Sequence, residues 1–191
     1  MSQLWAVAGP NGSGKTTFTQ KYFAGKLIIV NPDEIASLEQ VSNLQAGKLT
    51  LARQRELLEQ GKSFAFETTL SGRHELQLME EAKRKGYKVN LVFFSLDTPD
   101  LNVGRIAVRV EDGGHNVPTG DVLRRYQRSL ENLPAALGIA DRAYVLDNSG
   151  TRARLLLSME KGQVKRLSRD LPEWAKPALN AYKDRSRGVD R

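Results

Sequence analysis

Gly9-Pro10-Asn11-Gly12-Ser13-Gly14-Lys15-Thr16 fits the pattern G-x-x-x-x-G-K-[ST] at every fixed position. Glycines at 9, 12 and 14 let the backbone turn tightly, so that successive N–H groups point inward at an anion with no Cβ in the way. Lys15 brings a positive charge to the β and γ phosphates of a nucleotide. Thr16 offers a hydroxyl to Mg²⁺ and opens a helix whose N-terminal dipole favours the same anion. Asn11, Ser13 and Thr17 complete the loop and the first turn. Context extends the reading. Leu4-Trp5-Ala6-Val7-Ala8 is an apolar run directly before the loop, suited to a strand, and residues 17–23 suit a helix. Strand, glycine-rich loop and helix form the entrance to a P-loop nucleoside triphosphatase fold, with ATP and Mg²⁺ as the expected cofactors.

The chain has 191 residues, 40% of them hydrophobic, enough for one sizeable core. No apolar run approaches the ~20 residues of a membrane span. The early first strand leaves no room for a signal peptide. With no cysteine, disulfides and thiolate chemistry are excluded, and a reducing cytoplasm is the expected compartment. The net charge of +7 is concentrated at one end, where residues 151–191 carry 11 Lys or Arg against 5 Asp or Glu. Such a segment is either a solubilising terminus or a contact for an acidic partner. It holds no recognised nucleic-acid motif and only Trp174 and Tyr182 as aromatics, so nucleic acid is the less expected partner.

Residues 27–30 read as a buried strand ending in Asn31-Pro32-Asp33-Glu34. Pro32 cannot extend a ladder, so Asp33 falls at the carboxyl end of the strand, the edge where open α/β sheets bind ligands. There Asp33 can take a proton from an acceptor hydroxyl, hold a metal-bound water, or serve as the N-cap of the next helix. Residues 49–58 show helical periodicity that ends at Gly61, and Phe64-Ala65-Phe66 runs into Glu67-Thr68-Thr69. Glu67, at a strand end, suits either the surroundings of Mg²⁺ or a substrate contact. Thr69 and Arg73 are further substrate candidates. Leu70-Ser71-Gly72 resembles the signature of transporter ATPases but follows the acidic strand end, 55 residues beyond Lys15. A loop leading into a helix over residues 75–85, stopped by Gly86, accounts for it.

Residues 88–96 read as a central strand, and Asp97-Thr98-Pro99-Asp100 opens a helix carrying Arg105 and Arg109. The stretch 112–118 is too rich in glycine for helix and suits a hinged loop, after which residues 121–133 resume helix with Arg124, Arg125 and Arg128. Helix, hinged loop and helix with arginines on both flanks is what a lid over a transferring phosphoryl group requires. Arg109 and either Arg124 or Arg125 are the candidates to neutralise that group, while Arg128 reads as solvated. His115 suits a phosphate contact or a helix cap. A fifth strand over 143–146 leads to Asp147-Asn148-Ser149-Gly150, on the adenine side of such a fold, which makes Asn148 a nucleotide candidate. Segments 155–159 and 164–167 flank Lys161-Gly162 as a terminal hairpin, and 172–182 suit a last short helix. The expected architecture is α/β, a doubly wound, mostly parallel five-stranded sheet. Its core spans residues 1–150, its lid about 105–130, and a basic C-terminal hairpin and helix extension covers 151–191. A monomer is expected, because a lid must open and close freely.

Six stretches together carry a family resemblance: G-P-N-G-S-G-K-T-T from Gly9, N-P-D at 31–33, F-E-T-T-L-S-G at 66–72, R-V-E-D-G-G-H-N-V-P at 109–118, R-R-Y at 124–126 and D-N-S-G at 147–150. The set resembles the zeta toxin family of P-loop kinases over roughly residues 1–150, and within it the short zeta-toxin-like branch. Zeta toxins use ATP and Mg²⁺ to phosphorylate a sugar hydroxyl of UDP-N-acetylglucosamine, and a cognate antitoxin blocks their nucleotide site. The resemblance implies that Lys15 and Thr16 bind phosphate and metal, and that Asp33 is the base for the acceptor hydroxyl. It further implies that Glu67 and Thr69 face the substrate, with Arg109 and a second lid arginine stabilising the transferred phosphoryl. This chain is shorter than the toxins proper and departs from their lid pattern around His115, with Arg124 or Arg125 as substitutes. Both differences fall on the acceptor side. The leading expectation is an ATP-dependent small-molecule kinase with a UDP-sugar as acceptor and an antitoxin as partner. The alternatives are a regulatory NTPase acting on a protein partner and a polynucleotide 5′-hydroxyl kinase.

Overall fold

In the computed structural model, which describes residues 1–114 and 116–183, strand and helix alternate from the first residues onward. In chain order the elements are β1 (Gln3–Ala8), α1 (Lys15–Tyr22), β2 (Ile28–Val30), α2 (Pro32–Leu38), α3 (Asn43–Glu59), β3 (Phe64–Thr68) and α4 (His74–Arg84). They continue with β4 (Lys88–Ser95), α5 (Pro99–Glu111), α6 (Thr119–Ile139), β5 (Arg142–Asp147), β6 (Arg154–Glu160), β7 (Gln163–Leu167) and α7 (Lys176–Leu179). His115 and the end of the basic tail, residues 184–191, lie outside the described residues.

The strands form one sheet in the order β2-β3-β1-β4-β5-β6-β7, with β1 to β5 parallel. The sheet is wider than the five strands expected. The terminal hairpin continues it, β6 running antiparallel along β5 with Ala143 opposite Met159, and β7 folding back on β6. The reason is apolar: Leu156, Leu157, Met159 and Val164 of the hairpin join the main core instead of facing water. The turn at Lys161 and Gly162 has φ of 52° and 74°, the two left-handed residues that a tight hairpin with the native twist requires. At the base of the sheet, Glu160 accepts from Lys88 Nζ at 2.9 Å and from Arg142 Nη2 at 2.7 Å, tying β6 to β4 and β5. These two cations hold the Glu160 carboxyl down at about 2. The tie is therefore present above the ordinary carboxylate range and is lost as pH falls toward 2.

Alternation along β1 sorts its side chains. Leu4, Ala6 and Ala8 enter the main core beneath α3, α4 and α6, whereas Trp5 and Val7 face α1. On that second face Phe18 packs on Phe94, ring centroids 5.3 Å apart, and Phe23 on Trp5 at 5.1 Å. Helix α6 was expected to stop near residue 133 but runs through Pro134 to Ile139. The proline forfeits one helical hydrogen bond, and burial of Leu133, Ala136 and Leu137 holds the helix together around it. Ile106 of α5, Val117 of the connecting loop and Val122 of α6 form a small apolar cluster of their own, apart from the main core.

Because β1 feeds α1 and β2 on one side while its neighbour β4 feeds α5 and β5 on the other, the sheet has its switch point at the carboxyl ends of β1 and β4. A ligand crevice belongs there.

Candidate functional site

At that edge lies a cleft of about 580 Å³, walled by the phosphate loop, the start of α2, one face of α3, the β3–α4 connection and the two lid helices. The loop has the conformation its glycines were read for. Gly9, Gly12 and Gly14 have φ of 135°, 73° and 100°. A Cβ on Gly9 would stand 1.9 Å from the carbonyl oxygen of Phe94, and one on Gly14 would stand 2.5 Å from Asn148 Nδ2. Neighbours clasp the loop from behind. Asn102 of α5, fully buried, donates its amide to the Asn11 carbonyl, and Asn148 donates to the Ser13 carbonyl at 2.9 Å. Arg105 donates in turn to the Asn148 carbonyl at 2.9 Å.

Lys15 begins α1 and folds back, donating to the carbonyls of Gly9 and Pro10 at 2.7 Å each. Burial lowers its pKa from 10.5 to about 8, Glu67 and Asp33 pulling it up and Arg109 and Arg125 pushing it down. Two carboxylates and two guanidinium groups thus act on the one ammonium. Glu67, at the end of β3 and almost wholly buried, accepts from Thr16 Oγ1 at 2.8 Å and also from Thr19 Oγ1. Thr16 and Thr19 stand on one face of α1 by their i, i+3 spacing.

The model of the AAA domain family matches residues 4–133, from the start of β1 well into α6. The chain belongs to the AAA domain family. An uncharacterized protein of Haemophilus influenzae is 31% identical over 136 residues, which is 65% of this chain and 97% of that protein. Among solved structures, the AvrRxo1-ORF1:-ORF2 complex with ATP is similar with a TM-score of 0.70 at 18% identity, covering 97% of this chain and 64% of that one. A structure of the PezAT chromosomal toxin–antitoxin system of Streptococcus pneumoniae gives a TM-score of 0.61 at 19% identity, covering 99% and 87%. The chain therefore spans 64% of the length of the AvrRxo1 chain it matches. At such identities the likeness to both structures is one of fold.

In this AAA-domain protein the sequence candidates divide clearly. Asn11, Gly12, Gly14, Lys15, Thr16 and Thr17 line the cleft, as do Asp33, Glu67, Thr69, Arg109 and Arg125. The Asn31 side chain, not Asp33, caps α2, accepting from the Asp33 amide at 2.9 Å. The Asp33 carboxylate is left to the cleft. Of the two arginines left open in α6, Arg125 lines the cleft, whereas Arg124 is exposed and paired with Asp121 at 2.7 Å. Gly9 and Ser13 lie under the loop. Asn148, expected to contact the nucleotide, braces the loop from outside the cleft lining through its bond to the Ser13 carbonyl. Arg73 precedes α4 on the exposed side and is no part of the lining. His115 lies outside the described residues.

Sequence reasoning missed the wall that α3 gives the cleft. Ala46, Gly47, Thr50, Leu51 and Gln54 of α3 face the cleft, with His74 and Glu75 of α4 beside them. The signal was present in the spacing, because 47, 50, 51 and 54 recur at helical intervals as an uncharged stripe. Arg105 was also passed over.

The residues fit a nucleotide held with a divalent cation. Ser13 Oγ and Asn11 Oδ1 are buried and without partners in the cradle, and the Thr16 hydroxyl meets the Glu67 carboxylate at the mouth of α1. Among the described residues no group of three or more carboxylates or imidazoles could hold a metal alone. A hard cation here would be shared with the phosphates. No helix among the described residues is long and apolar enough to cross a membrane.

The state of Lys15 gives a pH prediction. Its folded pKa, about 8, lies below the 10.5 of the free side chain. The charged form therefore costs stability below about pH 8, and the cost is relieved as pH rises toward 10.5. Phosphates delivered to the loop reverse the shift, so nucleotide binding at pH 8 is expected to take up roughly half a proton. ATP affinity is expected to fall as pH rises above 8. Calorimetry in buffers of different ionisation enthalpy reads the uptake directly. A flat affinity from neutral pH upward with no proton uptake would mean that Lys15 does not meet the phosphates.

Proposed function

We propose that this AAA-domain protein is a kinase that transfers the terminal phosphoryl group of ATP, taken as its Mg²⁺ complex, to a hydroxyl of a small molecule. The observation that carries this reading is the gathering of Asp33, Glu67, Arg109 and Arg125 around Lys15 on one cleft. A nucleotide-binding loop alone needs neither the second carboxylate nor the lid arginines.

The roles follow from position. Lys15 exchanges the Gly9 and Pro10 carbonyls for the β and γ phosphates. Thr16 and Glu67 sit where the cation travels with the nucleotide, and the hydrogen bond between them supports the metal side of the two readings open for Glu67. Bound Mg²⁺ would supply neutralisation of the phosphate charge. Asp33 orients the acceptor hydroxyl and accepts its proton as that oxygen bonds to the γ-phosphorus and the bond to the bridging oxygen of ADP breaks. Arg109 and Arg125 neutralise the group in transit and close water out with the lid. Lys15→Ala is expected to weaken both nucleotide binding and transfer.

A UDP-sugar such as UDP-N-acetylglucosamine is the acceptor, and an antitoxin the partner, that the resemblance to the zeta toxins implies. The similar folds of an ORF1:ORF2 complex and of a toxin–antitoxin system support a protein partner. The deciding experiment incubates the protein with Mg-ATP and a panel of UDP-sugars, free sugars, nucleosides and a 5′-hydroxyl oligonucleotide, followed by mass spectrometry. A phosphate gained by one acceptor is the expected result. ATP consumed at a rate no acceptor changes, with no acceptor gaining mass, would replace the kinase with a regulatory NTPase.

A further inference from the structure

We infer that the acceptor is a phosphate-free polyhydroxy compound, a sugar or amino sugar in class, and not a nucleotide sugar. The inference rests on the kinase reading and departs from the acceptor that the family resemblance implies. It comes from how charge is divided across the cleft.

Among the described residues the cleft has four Lys or Arg side chains, Lys15, Arg105, Arg109 and Arg125. All four belong to the nucleotide end. Lys15 lies in the loop, and the charges of Arg109 and Arg125 act on it. Arg105 is bonded to the Asn148 carbonyl, whose own side chain braces the loop. The opposite end, built from α3 and the β3–α4 connection, has no Lys or Arg facing the cleft. Lys48, Arg53 and Arg73, each next in sequence to a lining residue, are outside the lining, and the His74 ring is engaged by Gln54 Oε1 at 3.3 Å.

What that end holds instead is negative or neutral. Asp33 stands at its edge. Glu75 accepts from Thr68 Oγ1 at 2.9 Å through one oxygen, while its other oxygen is buried with no partner. A Cβ on Gly72 would stand 2.9 Å from that oxygen, so glycine at this position leaves room for the carboxylate. A diphosphate placed here would meet the Glu75 and Asp33 carboxylates and, among the described residues, no Lys or Arg. To find one it would have to take the lid arginines from the phosphoryl group in transit.

The same wall suits a polyol. Carboxylates and amides accept from or bridge neighbouring hydroxyls, and Gln54, Thr69 and Ser71 supply further neutral donors and acceptors. Leu51 offers an apolar surface for the C–H face of a ring. At Gly47 nothing stands within 4 Å of the missing Cβ, which leaves the middle of the α3 face open. An amino sugar would in addition place its ammonium beside Asp33 or Glu75.

The test uses the whole protein, ATP carrying heavy oxygen in its γ-phosphoryl group, and a small-molecule cell extract, with labelled products identified by mass spectrometry. The expected product holds a single phosphorus atom, the labelled one. Its precursor is then expected to exceed its own phosphate ester as acceptor by roughly 10-fold or more in kcat/KM. A labelled product that already carried phosphate, as a nucleotide sugar does, would overturn this inference and leave the kinase standing. Labelled inorganic phosphate with no labelled organic product would overturn the kinase reading and this inference with it.

Discussion

Asp33→Asn is expected to lower phosphoryl transfer by roughly 10²–10⁴-fold, the usual worth of a positioned base, while nucleotide binding stays within about twofold. The two outcomes separate because the side chain and the backbone of this residue do different jobs. The backbone amide bonds Asn31 Oδ1 and completes the cap of α2, and it is untouched by the substitution. Asparagine has nearly the same shape, so the cleft keeps its form and loses only an acceptor for the hydroxyl proton. One secondary effect is expected. The Asp33 carboxylate helps to hold the Lys15 proton, so the pH at which ATP affinity declines should move down in the variant. Steady-state turnover with the identified acceptor and calorimetry with ATP give the two numbers. Unchanged turnover would remove Asp33 from the mechanism.

Gly9→Ala is expected to be the most damaging single-methyl change in the chain. A Cβ there meets the Phe94 carbonyl oxygen at 1.9 Å, and the backbone at φ 135° is one that side chains with a Cβ rarely adopt. Neither partner is a flexible side chain that can turn aside, because Phe94 is in β4, paired with β5 near its carboxyl end, and Gly9 N is bonded to the Thr68 carbonyl. Overpacking and backbone strain together cost roughly 3–5 kcal/mol. For a chain of this size that is on the order of 10 °C in Tm. ATP binding should fall as well, since Gly9 begins the phosphate loop and its displacement shifts the N–H groups that face the anion. Gly86→Ala is the control. Gly86 has φ 81° but nothing within 4 Å of its missing Cβ, so only the strain is present, about 1 kcal/mol. Equal melting points for the two variants would show that contact with β4 is not what fixes glycine at position 9.

The parts of this site that were readable from the sequence are those fixed by local rules. The phosphate loop announces itself through glycine spacing, and Asp33 and Glu67 through their place at the ends of apolar runs, because such ends gather at one edge of a parallel sheet. The lid arginines were readable as a pair of helices but not one by one. Arg124 and Arg125 are adjacent in sequence, and only the packing of Val122 and Tyr126 decides which of them turns inward. The α3 wall and Glu75 were not found because their chemistry is ordinary until tertiary structure places them on the same cleft as Asp33. The bracing of the loop by Asn148 was not readable either, because an amide at that position can bond a backbone carbonyl as well as a ligand. Pro134 shows a local breaker overruled by the core beneath it.

The small cluster of Ile106, Val117 and Val122 bears on how turnover is paced. The near end of α5 is fixed to the phosphate loop through Asn102, whereas the far end, which carries Arg109, packs through this cluster with Val103 and Val110 against it. So few apolar contacts make a unit that opens at much lower free energy than the sheet. Backbone amides of α5 beyond residue 106 and of the start of α6 should therefore exchange hydrogen with solvent as one block, well before those of β1 and β4. The rate at which products leave is then expected to follow this small cluster, and the lid's timing to be retuned by methyl groups at Ile106 and Val122, which lie outside the cleft lining, while the chemistry stays as it is.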